Sequence, residues 1–315
     1  MPELPPDTLV VWCVTDHKPG HESQLRGLLQ ALSRRHDLDL TWIDARQPLC
    51  RRVAPRHGRP DFIIAAGHGT HLRALLRKWW YGGRAIVLMK PSLPRGLFDL
   101  CIVPEHDGVS TEKNVLATVG TLNDIVPGGD RDPRRGLVML GGPSKHHSWS
   151  DEQMVAQLRR LKALLPGVHW TLTTSRRTPA TFPAAAGTLL GEHCVLVPHD
   201  RTDRDWLREQ YGRSGVIWVT EDSASMVYES LATGAAVGVL AVPRLRDSRV
   251  SRGLDQLLES GALATLQQVE ARGGMPPGTG RLSEAERVAD YIDEHLYKGG
   301  LAALDESSAG IARPQ

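Results

Sequence analysis

Residues Val219 to Leu240 read VTEDSASMVYESLATGAAVGVL. A β-branched apolar run ends in an acidic turn. Ser223 and Ser225 open a segment that Thr233 and Gly234 close, and a second apolar run follows. Strands buried on both faces read as near-continuous apolar runs, and glycine just past the last helical residue is a common stop. The stretch therefore predicts a strand, a helix and a second, parallel strand. The pattern repeats in both directions. GLVMLGG, HWTLTTS, HCVLVP and GVIWVTE precede it, and LVVWCV, LDLTWID, DFIIAAG, AIVLMK and LCIVP lie nearer the N-terminus. Between the runs come helical stripes such as Leu25, Leu28, Leu29 and Leu32, or Met154, Leu158, Leu161 and Leu165.

This alternation predicts an α/β chain of two Rossmann-like, doubly wound parallel-sheet domains facing a central cleft, residues 1–127 and 128–275. IVPGGDRDPRRG, from Ile125 to Gly136, reads as the linker between them. A last helix is expected over 282–298, opened by a capping box of Ser283 and Glu286 and carrying Val288, Ile292 and Leu296 on one side. The tail 299–315 is expected to be disordered.

Bulk properties remove several functions. In 315 residues the longest uncharged apolar run, AAVGVLAVP from Ala235, is far short of the ~20 residues a spanning helix needs. MPELPPDT has no secretory pattern, so the expected location is cytoplasmic. Cys13, Cys50, Cys101 and Cys194 show no C-x-x-C spacing, which disfavours disulfides and a zinc site. A net charge of +2 gives no support for nucleic-acid binding. The charge is uneven, however: Arg46 to Arg95 holds eleven basic residues against one acid, Asp61, and LRKWWYGGR adds Trp79, Trp80 and Tyr81. Two readings stand for 46–95. One is a solvated helix face with both tryptophans in the core; the other is a face for an anionic membrane surface, peripheral on the inner membrane.

Ligands in doubly wound sheets bind at loops beyond the carboxyl ends of strands. After GLVMLGG, paired glycines permit close backbone approach, and Ser144 and Lys145 can donate to phosphate oxygens. Ser175, Arg176 and Arg177 follow HWTLTTS. In the quoted stretch Ser223 and Ser225 suit a diphosphate at a helix start, and Glu229 suits ribose hydroxyls. Asp222 and Ser223 as ordinary N-caps and Glu229 as a solvated helix residue are the alternative. In the first half the matching loops are DHKPGHESQ from Asp16 and AAGHGTHLR from Ala65. A histidine beside a carboxylate is what a group transfer needs to deprotonate an acceptor hydroxyl, so His21, His17 and Asp16 are the catalytic candidates. Lys18, Gly20, Gly67, His68 and Thr70 stand on the acceptor side. GHGT lacks G-x-G-x-x-G, which disfavours NAD, and HGTH lacks the acid of H-E-x-x-H, so no metal is expected.

Six separated motifs, DHKPGHESQ, YGGRAIVLMKPSLPRGLFDLCIVPEHD, NVLATVGTLN, GGPSKHHSW, TTSRRTP and VTEDSASMVYESLATG, resemble in this order the mitochondrial fission ELM (elongated mitochondria) family. The second half also looks like that of peptidoglycan N-acetylglucosaminyltransferases. The resemblance implies a GT-B fold and a nucleotide sugar, UDP-type, as substrate with no cofactor. It places that donor at Gly142, Ser144, Lys145, Ser175, Arg176, Asp222, Ser223, Ser225, Met226 and Glu229. The family more often has glycine at position 17 and arginine at position 68, which favours His21 as base. The implied activity is metal-independent transfer of a sugar to a lipid-linked or cell-envelope acceptor. The alternatives are a non-catalytic GT-B scaffold for a membrane or protein partner, and a nucleotide-sugar 2-epimerase.

Overall fold

The computed structural model describes residues 8–48, 58–108, 112–126, 129–278 and 282–298. The chain divides into two compact units: unit 1 runs to Asp124 and resumes at Ser283, and unit 2 is Ile125–Leu282.

Unit 1 is built on β1 (Thr8–Thr15), β2 (Asp37–Asp44), β3 (Phe62–Ala66), β4 (Arg84–Leu88), β5 (Leu100–Pro104) and β6 (Val115–Thr118). The sheet is parallel, in the order β2-β1-β3-β4-β5-β6. Helices α1 (Pro19–Ser33) and α2 (His71–Tyr81) follow β1 and β3. Side chains of a strand alternate between faces, and β1 shows the result. Leu9, Val11 and Cys13 join the Leu25, Leu28, Leu29 and Leu32 stripe of α1, while Val10, Trp12 and Val14 join Ala74 and Leu75 of α2. The chain goes from β1 out to one edge, then returns to the other side of β1. The connections thus change direction between β1 and β3, and a sheet of this kind opens a crevice at that point beyond its strand ends.

Unit 2 carries β7 (Asp132–Met139), β8 (His169–Thr173), β9 (Cys194–Val197), β10 (Ser214–Thr220), β11 (Ala236–Leu240) and β12 (Ala264–Thr265), in the order β12-β11-β10-β7-β8-β9. Its helices are α3 (Asp151–Leu164), α4 (Phe182–Ala185), α5 (Arg204–Arg213), α6 (Ala224–Thr233), α7 (Arg249–Glu259) and α8 (Leu266–Arg272). Counted along the chain, this is the 3-2-1-4-5-6 order of dinucleotide-binding sheets, with its reversal between β7 and β10. Gly234 ends α6 in the left-handed region at φ 79°.

Helix α9 (Glu284–Ile292) returns to unit 1, where Val288, Ala289 and Ile292 enter the α1 core; one π turn, Asp293–Lys298, continues it. The expected capping box does not form. Ser283 makes no side-chain cap, and Glu286 is held by Arg34 and Arg35 of the α1 end. The stretch read as linker is partly strand, since β7 starts at Asp132. Cys50, Arg51, Arg52, Arg56 and the tail 299–315 lie outside the described residues. Among those described, no helix is long and apolar enough to cross a membrane.

Candidate functional site

In unit 2 the loops at the reversal point are tied into one structure. The amide of Gly141 donates to Thr220 Oγ1 (2.7 Å) and that of Gly142 to Asp222 Oδ2 (3.0 Å), so the β7 and β10 ends are joined. Arg177 Nη2 lies 2.6 Å from the same Oδ2, and Arg177 Nη1 donates to the carbonyl of Gly142 (2.8 Å). Ser175 and Thr178 donate to the carbonyl of Gly141 at 2.9 and 2.5 Å, which brings in the β8 end. The paired glycines are required by this closeness. A β-carbon at Gly141 would stand 2.2 Å from Asp222 Oδ2, and one at Gly142 2.1 Å from the carbonyl oxygen of Arg177.

This arrangement sorts the candidate residues. Asp222 is not an N-cap: its side chain is wholly buried, paired with Arg177, and its Oδ1 has no hydrogen-bond partner. Gly142 and Ser175 spend their donors inside the cluster, and the Ser144 hydroxyl accepts from the amides of His146 and His147 (both 3.1 Å) in its own loop. Ser223 precedes α6, but its hydroxyl does not cap the helix, and among the described residues no side chain accepts from the first-turn amides. Ser225, Lys145 and Arg176 are exposed around that turn and the neighbouring loops. The carbonyl of Met226 accepts from Ser230 (2.7 Å) within the helix. Glu229 is not a solvated helix residue. Burial raises its carboxyl above the usual range, and the Tyr211 hydroxyl, donating at 3.0 Å, partly offsets that.

In unit 1, Asp16 and His21 come together as an acid–histidine pair, Oδ1 to Nδ1 2.8 Å, both mostly buried. Burial opposes the Asp16 charge, yet hydrogen bonds from His21 and from the Lys18 amide hold its carboxyl below the usual range. An ionised carboxylate only accepts, so Nδ1 carries the proton and Nε2 is the basic nitrogen. Lys18 Nζ lies 3.2 Å from the other carboxylate oxygen. Gly67, at φ 95°, faces this pair. Thr70 is buried and donates to the Gly67 carbonyl (2.7 Å), fixing the turn into α2. Gly20 is the second residue of α1, with open space beside it.

His17 does not join the pair. Its ring reaches Glu22 Oε1 (3.0 Å) and Asp44 Oδ1 (3.5 Å) instead, and its backbone is left-handed at φ 61°. That conformation suits glycine, a physical reason for glycine to serve at this position. His68 is exposed, its ring edge-on to His71 with centroids 5.8 Å apart. Among the described residues no group of three His, Cys, Asp or Glu is placed to hold a metal ion.

Sequence reasoning missed Tyr211, named Arg177 only as a phosphate donor beside Arg176, and weighed His71 only as half of a metal pair. Arg177 sits next to the chosen Arg176, and adjacency alone does not say which guanidinium turns inward. Tyr211 lies on α5, outside every quoted motif. His71 is 1% exposed, its Nδ1 accepting from the Ser92 amide (3.2 Å).

Two Rossmann-like units, each with its loops gathered at the carboxyl ends of a parallel sheet, define the GT-B class. Solved structures of similar fold agree with that. UDP-N-acetylglucosamine 2-epimerase from Neisseria meningitidis, bound to UDP-N-acetylglucosamine, is 11% identical with a TM-score of 0.51, covering 92% of this chain and 100% of its own. The S. aureus MnaA–UDP structure gives 15%, 0.52, 91% and 97%. The glycosyltransferase of kitacinnamycin gives 14%, 0.53, 93% and 100%. At such identities the likeness is one of fold. No curated protein matches the chain in sequence. The chain belongs to the mitochondrial fission ELM1 family, whose pattern matches residues 19–296.

Proposed function

We propose that this protein takes a nucleoside-diphosphate sugar of the UDP type and transfers the sugar to an acceptor hydroxyl. The observation that carries this reading is the open first turn of α6 beside the glycine pair at the β7/β10 reversal. There, unspent amides and the positive helix end suit a diphosphate. Arg176, Lys145 and the hydroxyls of Ser223 and Ser225 add donors, and Glu229, held by Tyr211, receives ribose hydroxyls. His21, oriented by Asp16, takes the proton of the acceptor hydroxyl. The freed oxygen attacks the anomeric carbon, and the carbon–oxygen bond to the diphosphate breaks with its electron pair leaving on the phosphate. Direct displacement of this kind inverts the anomeric centre. Donors fixed in advance around the departing phosphate supply most of the stabilisation such a step needs.

A second reading is a non-catalytic scaffold on the same fold. It is favoured by Gly142 and Ser175 using their donors inside the protein and by the Ser144 hydroxyl accepting from amides of its own loop. Thermal stabilisation against a nucleotide panel separates the two. Transfer requires stabilisation by UDP or a UDP-sugar that is lost in Arg176→Ala and Glu229→Ala; a flat response across the panel supports the scaffold. Incubating a UDP-sugar without acceptor gives epimerised sugar only if the activity is that of a 2-epimerase.

A further inference from the structure

Helix α2 is apolar on two faces, and only one is covered. Its inner arc, with Ala74 and Leu75, packs on the sheet. Its outer arc carries Leu72, Leu76, Trp79 and Trp80, at i, i+4, i+7 and i+8, which places them within about 100° on one side of a helix. Leu72 is 48% exposed, Trp79 63% and Trp80 52%. The reading that put both tryptophans in the core is therefore overturned. The core on the sheet side is already filled by Trp12, Ile63, Val87 and Phe98, and Tyr81, not its tryptophan neighbours, packs edge-on against Trp12 at 4.9 Å.

The surroundings are cationic. Helix α2 has no acid. Arg73 adjoins Leu72, and Arg59 is exposed at the C-terminal end of the helix, donating to the Tyr81 carbonyl (2.9 Å). Lys78, paired with Asp99 (2.8 Å), donates to the carbonyl of Leu97, itself 40% exposed. From 58 to 95 the basic residues are Arg59, Arg73, Arg77, Lys78, Arg84, Lys90 and Arg95, against Asp61; of these Arg77 is buried and Arg95 is paired with Glu112 (2.8 Å), so the cationic rim rests on the others.

We propose that the Leu72–Leu76–Trp79–Trp80 face of α2 is a membrane-docking surface that lies in the headgroup layer of an anionic bilayer. Indole rings combine an apolar body with a polar N–H and settle at that level, and a cationic rim adds attraction to anionic lipid. A second copy of this chain is the poorer occupant. A two-fold contact through this face would set the cationic rim of one copy against the same rim of the other. The inference is independent of nucleotide binding, since every residue in it lies in unit 1 outside the Asp16–His21 pair.

Sedimentation with phosphatidylcholine vesicles, with and without phosphatidylglycerol, tests it. The full chain is expected to be retained on the anionic vesicles at low salt and released by salt. Trp79→Ser/Trp80→Ser should weaken retention by about tenfold or more with an unchanged melting curve, both side chains being exposed. Trp79→Phe/Trp80→Phe should keep most of it, and Arg59→Gln should lose part of it in the anionic arm only. Absence of retention on anionic vesicles, or retention equal in the serine variant, overturns the proposal. So does a concentration-dependent dimer abolished by the serine substitutions without any lipid retention, which would assign the face to a second copy. UDP stabilisation measured on the same samples reports separately on the donor site.

Discussion

Gly67 lies directly against His21: a β-carbon at position 67 would stand 2.4 Å from both Cε1 and Nδ1 of the imidazole and 3.2 Å from Asp16 Oδ2. The glycine at the end of β3 thereby sets where the histidine from the β1 loop can sit. Its φ of 95° is a second reason for glycine, because a β-carbon is strained in that conformation. Gly67→Ala is expected to cost about 1–3 kcal/mol and to push the ring off Asp16. Thermal melts read the first effect, and loss of the Nδ1 proton signal in long-range imidazole NMR reads the second. Gly20→Ala is the control. Nothing lies within 4 Å of a β-carbon there, so its melt should match wild type.

Asp16→Asn tests the orienting role of the carboxylate. The amide can present its NH₂ to the ring and so favour the tautomer with the proton on Nε2, which removes the base. Turnover of a UDP-sugar should fall about a hundredfold while the UDP-induced melting shift stays unchanged. A parallel fall in both would mean that Asp16 acts in binding or folding rather than in proton transfer.

The fold was legible because periodicity reports burial. LVVWCV, DFIIAAG and LCIVP are buried almost throughout, as strands covered on both faces must be, and the leucine stripe of α1 is core in every member. Elements too short to show a period escaped: β12 has two residues and β6 four. The capping box of Ser283 and Glu286 fits the local rule and fails because Arg34 and Arg35, about 250 positions earlier, take the glutamate. Site residues divide the same way. Asp16 and His21 lie five residues apart across the turn from β1 into α1, so spacing could pair them. Arg177 meets Asp222 only through the sheet order, which no local pattern encodes.

Arg177 and Arg176 should therefore separate stability from binding. Removing Arg177 strands a wholly buried carboxylate whose Oδ1 already has no partner. The guanidinium is itself 38% exposed, so Arg177→Ala should cost about 2–3 kcal/mol, below the about 3–5 kcal/mol of a fully buried pair. Arg176→Ala, at an exposed position, should change stability by at most about 0.5 kcal/mol. It should instead weaken UDP about tenfold, the worth of one charge-assisted contact. Denaturant melts and UDP titrations on both variants decide it; the reverse pattern would exchange their roles.

Acid stability depends on His71. Burial, with the nearby His68 and His21 charges, lowers its pKa from 6.5 to about 4. With Nδ1 accepting from the Ser92 amide, the neutral ring keeps its proton on Nε2, which is buried and without a partner. Protonating the ring would break the Ser92 contact and bury a charge. Between pH 6.5 and about 4 the unfolded chain binds a proton at this site that the folded chain does not. Stability contributed by His71 is therefore intact above pH 6.5, falls as pH drops through that window, and levels off below about 4. The whole change amounts to roughly 3 kcal/mol at about 1.4 kcal/mol per pH unit. His71→Phe cannot titrate and has no donor to strand, so its unfolding free energy should be flatter by that amount over the window. Urea melts at stepped pH measure the difference, and parallel curves for the two proteins would place the acid sensitivity elsewhere.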